Sequence, residues 1–151
     1  MVKITPANPT DPEPRALLRA SAALMEDLFP AEDNHYLTPE ELARDHIHFF
    51  AAHGDDGALL GTIALAVHDD WAEVKALFVD AAARGQGVAQ ALLDHVETIA
   101  RDNGLIWLRL ETGETLYAAI KLYRKAGFGN RGPFGEYGDS ETSVFMEKHL
   151  V

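Results

Sequence analysis

The chain has 151 residues, 47% of them hydrophobic, and its 24 acidic residues against 13 basic ones give a formal charge of −11 at pH 7. That length fits one domain, residues 1–151, able to bury roughly 68–70% of its unfolded surface without disulfides or a structural metal. The absence of cysteine excludes a disulfide framework, a thiolate zinc site and a cysteine-borne covalent intermediate, and the negative charge disfavours nucleic-acid and anionic-membrane partners.

The opening MVKITPANPT has no apolar run suited to a signal peptide, and no segment reaches the ~18 apolar residues of a membrane span, so a soluble cytoplasmic protein is expected. Proline-rich residues 6–14 read as an extended entry into a first helix. Its apolar positions Leu17, Leu18, Leu24, Met25, Leu28 and Phe29 share one face, and Pro30 closes it. Thr38-Pro39-Glu40-Glu41 combines an N-cap hydroxyl, proline at the first helical position and Glu three residues after the cap. It predicts a short second helix ending near Asp45.

Apolar-rich residues 47–53 and 58–68 flank Gly54-Asp55-Asp56-Gly57 and predict a hairpin with a four-residue turn, followed by a third strand over 72–79. A glycine-rich loop at 84–87 leads into Val88, Leu92, Val96 and Ile99, a helical stripe ended at Gly104. A strand over 105–111 comes next, then a helix carrying Leu116, Ile120 and Tyr123 that Gly127 stops, and a closing strand over 143–148. Hairpins in the first half and β-α-β in the second predict a mixed sheet flanked by helices, an α/β or α+β domain.

Arg84-Gly85-Gln86-Gly87-Val88-Ala89 falls between a strand and a helix N-terminus, where free N–H groups and the positive dipole end suit a pyrophosphate. A plain strand-to-helix turn is the alternative reading. A dinucleotide fingerprint needs a third glycine at its own offset, and a P-loop needs Gly-Lys-Ser/Thr; the chain has neither.

The same six residues resemble the acetyl-CoA signature Gln/Arg-x-x-Gly-x-Gly/Ala of the GCN5-related N-acetyltransferases (GNAT), preceded, as in that family, by the strand running from Glu73 to Val79. Ala119-Ile120-Lys121-Leu122-Tyr123-Arg124-Lys125-Ala126-Gly127-Phe128 resembles its second hallmark, Ala-x-x-Leu-Tyr-x-x-x-Gly-Phe. The two lie in the family's order and spacing over residues 73–128. The resemblance implies a GNAT-like twisted, splayed mixed sheet flanked by helices, with acetyl-CoA as co-substrate in the V-shaped gap. Its pantetheine amides would pair with the main chain at Leu77, Phe78 and Val79, and its pyrophosphate would rest on Arg84, Gly85, Gln86, Gly87, Val88 and Ala89. Where many members carry Asn three residues before the Ala of the second hallmark, this chain has Leu116.

An amine of pKa ~10.4 is almost wholly protonated at pH 7, so something must take its proton. The resemblance implies direct transfer: amine attack on the thioester, a tetrahedral intermediate and departure of the CoA thiolate. It casts Tyr123 as the acid that protonates the sulfur; on the residues alone, Tyr123 equally fits a core position on the Leu116/Ile120 stripe. Ala72-Glu73-Val74 resembles the Ala-Glu-Ile/Val of the family's histone-acetylating branch, whose glutamate is the base. On a regular strand Glu73 shares a face with Lys75, Leu77 and Val79, so an ion pair with Lys75 is the other reading, and proton removal through ordered water a third. His46 and His48 are alternate residues of one strand face with no third ligand, and no metal site is expected.

In the resembling family, acceptor specificity lies in the first two helices with their loop and in the last hairpin, which makes Glu32, His35 and Tyr137 the candidate acceptor residues. Residues 26–45 hold seven acids and one base, Arg44. Residues 84–131 carry a net +2 and the rest of the chain −13, so the acceptor amine is expected to be cationic. Two function classes follow: an acetyl-CoA-dependent N-acetyltransferase acting on a small metabolite amine, a peptide N-terminus or a lysine, and a non-catalytic acyl-CoA-sensing module. Tyr123 and Glu73 favour the first. Dimers are common among the resembling enzymes, so a homodimer is an expected assembly.

Overall fold

The computed structural model describes residues 2–31 and 34–151, so the candidate Glu32 lies outside the described residues. In chain order the elements are β1 (Lys3–Pro6), α1 (Pro12–Leu28), α2 (Pro39–Leu42), β2 (Ile47–His53), β3 (Leu59–Val67), β4 (Trp71–Val79), α3 (Val88–Asp102), β5 (Trp107–Gly113), α4 (Tyr117–Lys125), β6 (Gly129–Arg131) and β7 (Ser143–His149).

The predicted elements are all present, with boundaries moved by a few residues. α1 starts earlier than its apolar stripe: Asp11 takes the N-cap position in extended conformation and proline stands in the first turn, where a missing N–H costs nothing. At α2 the capping box forms: Glu41 N donates to Thr38 Oγ1 at 3.1 Å and Thr38 N donates to Glu41 Oε1 at 3.0 Å, together stabilising the turn by about 1 kcal/mol. The helix ends at Leu42 rather than near Asp45. Leu42 is buried, and Ile47 N already bonds back to Arg44 O to start β2.

The seven strands lie in the order β1-β2-β3-β4-β5-β7-β6, and every neighbouring pair is antiparallel except the parallel β4–β5 pair. β1 and β6 are short edge strands that the sequence pattern does not predict; of β1 only Pro6 falls in the proline-rich stretch 6–14 read as an extended entry. Pro6 is tolerated because it ends an edge strand, where a ladder donor can be spared. β3 alternates between two cores. Ile63 and Leu65 pack with the α3 stripe Val88, Leu92 and Val96, while Ala64 and Ala66 pack with Leu18 of α1 and Leu42 of α2 on the other face. Each fully buried Leu or Val side chain contributes about 1.5–3 kcal/mol, so the helices are held by these faces rather than by intrinsic propensity.

One irregularity shapes everything that follows. In the β3–β4 ladder Thr62 faces Phe78 and Ala64 faces Lys75, so Ala76 and Leu77 together stand opposite Ile63. Among the described residues Ala76 is the one non-glycine with positive φ, at 53°, and the buried Thr62 hydroxyl donates to its carbonyl at 2.9 Å. This is a bulge, which bends its strand and increases the local twist. Two consequences follow. β4 and β5 pair at Trp71–Trp107, Ala72–Leu108 and Glu73–Arg109 and no further, leaving a gap beyond Glu73. The strict alternation expected from the sequence also breaks, and the register puts Phe78, not Leu77, on the face of Lys75.

Candidate active site

The gap between the diverging strands opens into a cavity of about 180 Å³. β4 supplies one wall from Glu73 to Phe78, β5 supplies Glu111, Thr112 and Gly113 opposite, and Tyr123 stands on α4. Met25 of α1 and Phe29, which follows that helix, close the remaining side. A Cβ on Gly113 would lie 2.1 Å from Phe29 Cζ, so the bare backbone there is what lets that ring lie against β5.

Leu77, Phe78 and Val79 follow the last β4–β5 pair, and their edge toward β5 is open for another extended chain. Below them, Gly85 and Gly87 both adopt φ of 80°, a left-handed conformation that costs glycine little. No heavy atom lies within 4 Å of where a Cβ would stand at either position. Gly87 caps α3, which starts at Val88, so the N–H groups of the first turn, Val88 and Ala89 included, have no intrahelical partner. Arg84 lies beside this turn with its guanidinium 5.7 Å from the Phe78 ring centroid. Exposed N–H groups and the positive end of a 15-residue helix suit an anion such as a pyrophosphate.

Tyr123 is buried, packs edge-on to Phe128 with ring centroids 5.9 Å apart and lines the cavity. Burial, and then the Glu111 carboxylate, push its hydroxyl well above the ordinary phenol range, so it keeps its proton at neutral pH. Glu73 Oε2 accepts from Lys75 Nζ at 3.1 Å and from the Tyr137 hydroxyl at 2.5 Å. Lys75 Nζ also donates to Tyr137 Oη at 2.9 Å, and the His35 ring meets Tyr137 edge-on at 5.1 Å. Three elements distant in sequence thus bring Glu73, His35 and Tyr137 together, with Lys75 as the link. Burial and then the Glu73 charge raise the Tyr137 hydroxyl far above its usual range.

The sequence reading missed Glu111. Its Oε2 accepts from Ser143 Oγ at 2.7 Å, and burial is the largest influence, raising its carboxyl above the usual 4.5 against smaller lowering effects from Ser143, His35 and Lys75. The available signal was an acid at the carboxyl end of a strand beside a parallel pair, where α/β sheets form their crevices. Of the acids in residues 26–45 that are described, Glu26 takes the Tyr36 hydroxyl, Glu40 pairs with Arg15, and Glu41 caps α2 and pairs with Arg44. None of these, nor Asp27 or Asp45, lines the cavity. Beyond the Glu73–Lys75–Tyr137 network lies a wider groove of about 620 Å³, which shares those three residues and adds His68 and Trp71, stacked at 4.1 Å.

The model of the acetyltransferase (GNAT) family matches residues 16–128. An IAA acetyltransferase from Azospirillum brasilense is 45% identical over 126 residues, 82% of each chain, and a blasticidin-S acetyltransferase from Streptomyces morookaense is 32% identical over 64% of this chain and 71% of its own. The crystal structure of a protein assigned as an acyl-CoA N-acyltransferase from Klebsiella pneumoniae superposes with a TM-score of 0.85 at 34% identity, covering 100% of this chain and 99% of that one. An N-acetyltransferase from Thermoplasma acidophilum in complex with coenzyme A shares the fold at a TM-score of 0.75 and 20% identity over 99% of both chains. The chain therefore belongs to the GNAT acetyltransferase family, and it is an N-acetyltransferase that uses acetyl-CoA.

Proposed function

We propose that the protein transfers the acetyl group of acetyl-CoA directly to an amine. The observation that carries this reading is the cavity itself, where a protonated Tyr123 hydroxyl and two carboxylates, Glu73 and Glu111, border the space left by the splayed strands. The pantetheine arm would extend β4 along Leu77, Phe78 and Val79, and the pyrophosphate would take the N–H groups from Gly85 to Ala89 with Arg84 beside it.

The acceptor arrives as an ammonium and must lose a proton before it can attack. Glu73 Oε2 is committed to Lys75 and Tyr137, whereas Glu111 has Ser143 as its hydrogen-bond donor and a carboxyl raised by burial. A raised carboxyl is closer to the working pH and so a better base. Glu111 therefore takes the ammonium proton, and Glu73 holds Lys75 and Tyr137 in place. The neutral amine attacks the carbonyl carbon, the C–S bond breaks with its electron pair going to sulfur, and Tyr123 protonates the sulfur. The second nitrogen proton then returns to the Tyr123 oxygen through water, leaving an amide and free CoA.

A cationic amine would be received by Glu73 and Glu111, with the surface acids of residues 26–45 acting at longer range. The relatives named for IAA and blasticidin-S favour a small molecule over a protein as acceptor. The reading is tested by incubating the protein with acetyl-CoA and a panel of amines and following the CoA thiol. Amine-dependent release is expected. No release with any amine, despite tight CoA binding, would replace it with an acyl-CoA-sensing role.

A further inference from the structure

Among the described residues one side-chain polar atom, Asn34 Nδ2, is buried with no hydrogen-bond partner. Asn34 stands between α1 and α2, its backbone N–H tied to Ala31 O at 3.2 Å, and it lines the same cavity as Lys75, Glu73 and Glu111. A desolvated amide donor is costly unless something pairs with it, and no oxygen of the described residues does. We propose that Asn34 reads the acceptor, donating Nδ2–H to a carbonyl-type oxygen that the acceptor carries next to its amine.

This rests on the acetyl-transfer reading and narrows it. The two carboxylates supply acceptors for the amine end. Asn34 supplies a neutral donor, and the Lys75 ammonium supplies positive charge on the same cavity wall. A molecule that satisfies both sets has an amine and an oxygen on a neighbouring carbon: a free amino acid, its amide or a peptide N-terminus. Alkyl polyamines and lysine side chains have no such oxygen and would leave the Asn34 donor unpaired.

The test uses a matched pair, phenylalaninamide and 2-phenylethylamine, which differ by the carboxamide. The ratio of their kcat/KM values in wild type is compared with the ratio in Asn34→Ala, so that the difference in amine pKa cancels. The ratio is expected to fall about tenfold or more in the variant, with the loss in acceptor KM rather than in acetyl-CoA KM. Phenylalanine and phenylalanylglycine, run beside the pair, separate a carboxylate from an amide carbonyl as the oxygen. Calorimetric binding of the same pair to the CoA-loaded protein reads the discrimination without turnover. A protein that acetylates no amine would thus defeat the functional reading while still testing Asn34. An unchanged ratio in kinetics and in binding, or a variant that slows both amines equally, would overturn the proposal.

Discussion

Replacing Thr62 by valine tests whether the bulge in β4 makes the gap in which we place acetyl-CoA. Thr62 is fully buried, and its hydroxyl donates to the Ala76 carbonyl at 2.9 Å, at a residue whose φ of 53° costs a non-glycine roughly 1–2 kcal/mol. Valine keeps the shape and removes the donor. Losing a hydrogen bond to a buried carbonyl costs about 1–3 kcal/mol, offset in part by burying a methyl group. A net destabilisation of about 1–2 kcal/mol is expected, which lowers Tm by about 2–8 °C in a chain of this size. With the donor gone, the strain at Ala76 is no longer balanced. β4 relaxes toward a regular strand, and the edge at Leu77, Phe78 and Val79 moves out of register with the turn at Gly85 and Gly87. CoA affinity, read by calorimetry, should weaken. Thr62→Ser keeps the donor but loses a methyl group at a stability cost of about 1 kcal/mol, and it should bind CoA as wild type does. Equal CoA affinity in the valine variant and wild type, or an equal loss in the serine variant, would show that the Thr62 hydroxyl does not shape the gap.

Three further outcomes follow from the site. Tyr123→Phe should lower kcat by about 10²–10⁴-fold while CoA titration shows the cofactor still bound; unchanged turnover would remove the tyrosine from the chemistry. Glu111 holds its proton more tightly folded than unfolded, because burial raises its carboxyl above 4.5. That contribution to stability is full below the unfolded value and is lost as pH rises through the folded one. Glu111→Gln, which cannot ionise, should therefore be more stable than wild type at about pH 7, with the gap closing toward about pH 4 in thermal unfolding. The same variant should lose the rising limb of kcat/KM against pH. Lys75→Met would leave the Glu73 carboxylate without its cationic partner, with the Tyr137 hydroxyl still donating to it; the Glu73 side chain is 10% exposed against 12% for Lys75. Denaturant unfolding should show a loss of about 3–5 kcal/mol, partly recovered in Lys75→Met combined with Glu73→Gln.

The glycine turn was legible because its cause is local. Glycines at φ of 80° followed by the stripe Val88, Leu92 and Val96 are written within a dozen residues, and so is the capping box of α2. β1 and β6 were not legible. Strands of four and three residues show too little periodicity, and they exist because β2 and β7 offer them an open edge. Which acids face the cavity also depends on the fold. Seven acids in residues 26–45 suggested an acidic entrance, but the described ones cap, pair or point to solvent, and the carboxylates that border the cavity, Glu73 and Glu111, come from two other strands.

By itself, the sequence determined the order of the helices and longer strands, the glycine turn and the tyrosine on α4, since backbone conformation and helical periodicity depend on near neighbours. The tertiary structure alone decided where the sheet opens and which carboxylates border the opening. The bulge at Ala76 answers to a hydroxyl fourteen residues away on β3, and nothing between Trp71 and Val79 marks it. Glu73 is tied up by Tyr137, sixty-four residues downstream, while burial against β7 and α4 sets the proton affinity of Glu111. Contacts of that range depend on how the strands are registered, and that is settled only when both faces of the sheet are packed.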